Sequence, residues 1–111
     1  MFAIAFDLVV ADLRQHHPSR QPTAAYGEIR QLLEGRGFHW VQGSVYLTPS
    51  EDMAGLFQAI QALQNLTWFP LCVRDIRAVR VEQWSNFTSV VTGGARTGTP
   101  LPPGLGGTGR P

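Results

Sequence analysis

The sequence predicts an α+β domain: an antiparallel sheet of short strands with two helices packed on one face. Three observations carry this. The chain opens on an alternating apolar stretch, FAIAFDL (residues 2–8), which reads as a strand. Two amphipathic helical stretches follow, at about 22–36 and 49–66, with a hairpin-like FHWVQGSVYL (38–47) between them. A further β-rich run, LCVRDIRAVRVEQW (71–84), comes after the second helix. The order is therefore β-α-β-β-α-β, the ferredoxin-like arrangement, with an extra C-terminal strand expected near NFTSVV (86–91).

In the first strand Phe2, Ile4 and Phe6 share one face and Ala3, Ala5 and Asp7 the other. The small residues let another surface approach that second face. Val9 to Gln15 forms a helical turn or two, and His16 to Pro22 is a proline-punctuated loop. In the first long helix Tyr26, Ile29, Leu32, Leu33 and Arg36 recur at helical spacing, and Gly37 suits a left-handed cap. A shift at Gln42-Gly43 would put Val45 and Leu47 on the core face, leaving Ser44 and Tyr46 on the opposite one. Thr48, Pro49 and Glu51 form a capping box, with Met53, Leu56, Phe57, Ile60, Leu63 and Leu66 as the buried stripe after it. In the last β-rich run the alternation fails around Arg74-Asp75, which predicts two strands, 71–74 and about 76–83.

The 111 residues fit one domain at 1–91, and the Gly- and Pro-rich stretch 92–111 reads as a disordered tail. A domain of about 90 residues is marginal alone, so dimerisation would help it. The lone Cys72 reads as a small buried hydrophobe in a reducing cytosol. There is no run of 18 apolar residues and no basic region before the first apolar segment, so neither a membrane helix nor a signal peptide is expected. All nine basic residues are arginine, and residues 1–91 hold seven of them against eight carboxylates, a net of −1. That excludes a generically basic nucleic-acid binder; a polyanion would need a local patch.

Three stretches together, MFAIAFDL, AAYGEIRQLLEGRGFHWVQGSVYL and FPLCVRDIRAVRVEQ, resemble the virulence-associated protein D (VapD) family. That family is similar in turn to the small CRISPR-associated endonucleases with the ferredoxin-like fold. The resemblance spans roughly residues 1–84. It implies a cytoplasmic, homodimeric endoribonuclease of toxin–antitoxin type, with RNA as substrate, an antitoxin protein as possible partner and no membrane association. In the related nucleases the Asp ending the first strand sits beside its dimer mate and holds a divalent metal, which carries over to Asp7; the hairpin Ser carries over to Ser44. Val9-Val10-Ala11-Asp12 stand where the CRISPR-associated proteins have an arginine pair, which favours the VapD branch.

Two readings of Asp7 stand at this point. It caps the next turn through backbone N–H groups at Val9 or Val10, or it ligates a metal, Mg²⁺ being the expected ion, together with a second Asp7 across a two-fold axis. Ser44 is either a turn former or a phosphate contact. Tyr46 stacks on a base or packs in the dimer interface. Arg74, Arg77 and Arg80 contact RNA phosphates or pair with Asp75 and Glu82 across the dimer. His16 and His17 read as solvated loop, and His39 is the candidate for a metal-independent route. The competing class is a non-catalytic dimeric module that binds an antitoxin or nucleic acid.

Overall fold

A computed structural model describes residues 1–93; the tail expected at 92–111 lies outside the described residues except for Thr92 and Gly93. Residues 1–80 form one compact unit, and the segment that begins at Val81 forms another. The first unit contains β1 (Phe2–Leu8), α1 (Val10–His16), α2 (Pro22–Glu34), β2 (His39–Gln42), β3 (Val45–Thr48), α3 (Met53–Gln64), α4 (Phe69–Cys72) and β4 (Val73–Arg80). The four strands pair antiparallel in the order β2-β3-β1-β4, the ferredoxin-like sheet. Residues 86–91, where an extra strand is expected, instead form the one-turn helix α5 (Thr88–Val91), started by Asn86 accepting a hydrogen bond from the Thr88 N–H.

The alternation in β1 divides the sheet into two faces. Phe2, Ile4, Phe6 and Leu8 join Ala25, Ile29 and Leu33 of α2 and Leu56, Ala59 and Leu63 of α3 in one core. Each large aliphatic side chain fully buried there contributes about 1.5–3 kcal/mol. Met53 and Phe57 do not complete the buried stripe expected of α3; they are exposed. With Leu56, Ile60 and Ala78 they line an open groove of about 490 Å³ between α3 and β4.

Local expectations are corrected at three further places. The helix after β3 starts at Met53 with Asp52 as its N-cap, accepting from the Ala54 N–H at 3.0 Å, because Thr48 is held in β3 opposite Phe2. The hairpin shift falls between Trp40 and Gln42, one step earlier than Gly43, and this turns Tyr46 into the core and Val45 and Leu47 to the other face. Gly43 then takes the positive φ of 46° that the tight turn requires. Finally, the disrupted alternation at Arg74 is not a break between two strands. Leu71 and Cys72 belong to α4, and β4 runs unbroken from Val73, with a bulge at Arg74.

His17 is buried rather than solvated. Its Nε2 meets Glu28 Oε1 at 2.9 Å and its Nδ1 meets Ser19 Oγ at 2.8 Å, while its ring packs edge-on against Trp68. The carboxylate arrives from α2, eleven residues downstream. A buried imidazole with both nitrogens satisfied locks the α1–α2 loop in place.

Candidate active site at the end of the central strand

Strand β1 lies between β3 and β4, so its C-terminal end is flanked on both sides. On the β4 side Asp7 sits directly opposite Asp75. Side chains so placed have Cβ atoms about 5 Å apart, and like charges there repel. The bulge supplies the remedy. Leu8 pairs with Val73, so Arg74 is the extra residue of β4, and its Nε donates to Asp7 Oδ2 at 2.9 Å. Arg77 in turn donates to Asp75 at 3.1 Å, and the Asp75 carboxylate raises the Arg77 pKa above its ordinary value, by hydrogen bonding first and by charge second.

Asp7 does not cap the following turn. The N-cap of α1 is Val9, which has no side-chain capping bond, and the Val9 N–H donates to the Cys72 carbonyl at 2.9 Å. The carboxylate is more than half exposed, so the charge at the end of a buried strand is not itself buried. Tyr26, on α2, has its pKa raised, by partial burial first and by the Asp7 charge second.

On the β3 side the hairpin brings Ser44 to the same end of the sheet, its carbonyl accepting from the Phe6 N–H at 3.1 Å. Ser44 therefore lies beside the residue that precedes Asp7, on the face Phe6 occupies. Tyr46 is only 4% exposed and stacks on Phe6 with ring centroids 6.2 Å apart, so it is a core residue in this chain. Arg80 lies at the far end of β4, opposite Phe2, where it pairs with Glu51 at 2.5 Å. The structure thus groups Asp7, Arg74, Asp75 and Arg77, places Ser44 at the same end of the sheet but on the opposite face from Asp7, and keeps Tyr46 and Arg80 apart from them. Exposed His39 stands opposite Leu47 on β3.

Asp75 was not recognisable as a partner of Asp7 from the sequence. The signal was present as the failed alternation at Arg74-Asp75, but its meaning depends on the β1–β4 register. For a metal the donor chemistry fits a hard divalent cation, since both groups facing each other are carboxylates. Among the described residues no three His, Cys, Asp or Glu side chains come together. Were a metal held here, one chain would supply a carboxylate pair, and the remaining ligands would have to come from water or a second copy.

No protein-family model matches the chain. Curated relatives do. The chain is 56% identical over 91 residues to an endoribonuclease VapD homolog of Neisseria gonorrhoeae, covering 82% of this chain and 98% of that protein. It is 50% identical over 91 residues to endoribonuclease VapD of Haemophilus influenzae, covering 82% and 98%. It is 47% identical over 93 residues to endoribonuclease VapD of Dichelobacter nodosus, covering 84% and 99%. With the ferredoxin-like sheet and the strand-terminal Asp7 already in place, these near full-length identities mean that the chain belongs to the VapD endoribonuclease family.

Proposed function

We propose that this protein is an endoribonuclease that acts as a homodimer, uses a divalent metal, and serves as the toxin of a cytoplasmic toxin–antitoxin pair. The observation that carries the reading is the exposed Asp7 carboxylate at the end of the central strand, opposite a second carboxylate and held by Arg74. Such a grouping is costly to keep without a task, because cross-strand like charges destabilise a sheet.

In this reading Asp7, with its copy in a second subunit, holds Mg²⁺. When bound, the ion supplies charge stabilisation at the scissile phosphate and acidifies a coordinated water. Arg74 positions the Asp7 carboxylate. Arg77 is restrained by Asp75 and exchanges that partner for an RNA phosphate oxygen when the strand is bound. Ser44 hydrogen-bonds the phosphate beside the cleavage point. The small size of the domain and the exposed Met53 and Phe57 support association with a second copy, which would bury them. No helix among the described residues is long and apolar enough to cross a membrane.

The experiment is incubation of purified protein with labelled RNA, in Mg²⁺ or in chelator, beside Asp7→Asn. Cleavage that requires both the metal and Asp7 is expected. Cleavage that survives both changes removes Asp7 from the chemistry and moves attention to His39. A folded, dimeric wild type that cuts no RNA makes a binding module the better account.

A further inference from the structure

Trp40 stands on the edge strand β2 and is 45% exposed. A single exposed apolar residue needs no explanation. What sets Trp40 apart is that its indole is fixed from two directions. Its Nε1–H donates to the Gly43 carbonyl at 2.8 Å, and the Arg30 guanidinium of α2 lies 4.4 Å from the ring centroid. The hairpin then links this residue to the Asp7 end of the sheet. Trp40 bonds Gly43, the next residue, Ser44, bonds Phe6, and Phe6 precedes Asp7. Two strand spacings, about 10 Å, separate β2 from β1 in the plane of the sheet; Trp40, opposite Tyr46, stands on the same face as Ser44, and Asp7 on the other, so an RNA strand that meets both turns around this end of the sheet.

We propose that Trp40 and Arg30 form a stacking platform for a base of single-stranded RNA, positioned so that the same RNA strand, rounding the hairpin tip at Gly43, reaches Asp7 and Ser44. The inference rests on the endoribonuclease reading and names the part of the substrate that reading leaves unbound. The chemistry selects a base over a phosphate. Arg30 already pairs with Glu34 at 3.5 Å, and that carboxylate repels a phosphate. The indole N–H is engaged by Gly43, so the ring offers π surface and no donor. Every base has a π face, so the platform is tolerant of sequence, and it excludes duplex RNA, whose base faces are stacked on each other.

The test uses the full chain carrying Asp7→Asn, which binds without cutting, and a fluorescein-labelled single-stranded RNA of about 12 nucleotides, within the span one binding domain covers. Polarisation is read with that RNA and with the same strand annealed to its complement. Trp40→Ala is expected to weaken single-strand binding about tenfold, Trp40→Phe to restore it to within about threefold of the parent because a ring remains, and Arg30→Ala to lie between them. RNA should quench indole fluorescence in the parent and not in Trp40→Phe. Duplex should bind more weakly than single strand. Unchanged affinity in Trp40→Ala, with cleavage intact when Asp7 is present, overturns the platform and leaves the endoribonuclease reading standing. Equal losses in Trp40→Ala and Trp40→Phe, with a lowered thermal midpoint in both, also overturn it, since that pattern marks a structural indole. A wild type that neither binds nor cuts RNA defeats both proposals.

Discussion

Two arginine–carboxylate clusters lie at opposite ends of the β1–β4 ladder, and they are built on different principles. At the Phe2 end Glu51 receives the Met1 ammonium and Arg80, while Arg80 also lies 4.9 Å from the centroid of the Phe2 ring. One carboxylate has two cations and, across the ladder, no carboxylate facing it. The Glu51 pKa is lowered, by the N-terminal ammonium first and by Arg80 after it. This cluster ties three segments far apart in sequence. At the Asp7 end two carboxylates face each other, and each needs its own arginine. A structural staple gains nothing from like charges in register, whereas a site that gathers a cation, as proposed for this end, would.

The largest expected effect falls on the Asp7 end. Asp7→Asn should reduce RNA cleavage about a hundredfold or more. Its thermal midpoint should move by no more than about 4 °C, since an exposed ion pair contributes little stability. Loss of cleavage accompanied by unfolding would erase the contrast between the two clusters. Arg74→Ala is the intermediate case. It leaves Asp7 facing Asp75 without a counter-ion, and calorimetry should show a loss of about 0.5–1 kcal/mol. Adding Asp7→Asn to Arg74→Ala should recover most of that loss by removing the repulsion. A double variant as unstable as the single one would mean that Arg74 acts through packing. The smallest effect belongs to Glu51→Gln. A carboxylate whose folded pKa is lowered stabilises the fold above its ordinary range, and that contribution is lost as pH falls through the folded value. Thermal midpoints of the wild type should therefore fall on acidification from about pH 5, and those of Glu51→Gln should fall less steeply. Identical profiles would show that the Phe2-end staple is inert.

The residues proposed for the candidate site were in part legible before the fold. Asp7 is visible as a carboxylate closing an apolar alternation, and Ser44 as the residue after the hairpin glycine. What surrounds them was not. Asp75 and Arg74 are 68 and 67 residues beyond Asp7, and only the β4 register, with one extra residue at the bulge, brings them together. Tyr46 shows the same limit from the other side. A shift of one residue in where the hairpin irregularity falls exchanges the faces of the strand, and so moved Tyr46 from a candidate RNA or dimer contact into the core. His17 went from loop to core because its partner Glu28 comes from the next helix.

By itself the sequence determined the order of the main strands and helices of residues 1–80, though not the short helices α4 and α5 that stand where strand was expected, because apolar period and turn residues act over a few positions. FAIAFDL alternates as a strand must, Ile29 and Leu33 fall on one helical stripe, and Gly37 stops the chain in the left-handed region at φ 85°. That order is enough for a ferredoxin-like sheet. The tertiary structure alone decided which side chains meet: Asp7 with Arg74 and opposite Asp75, Arg80 with Glu51, Trp40 under Arg30. Those pairings depend on register and on bulges, which cost little locally and are selected by the packing of the whole sheet against its helices.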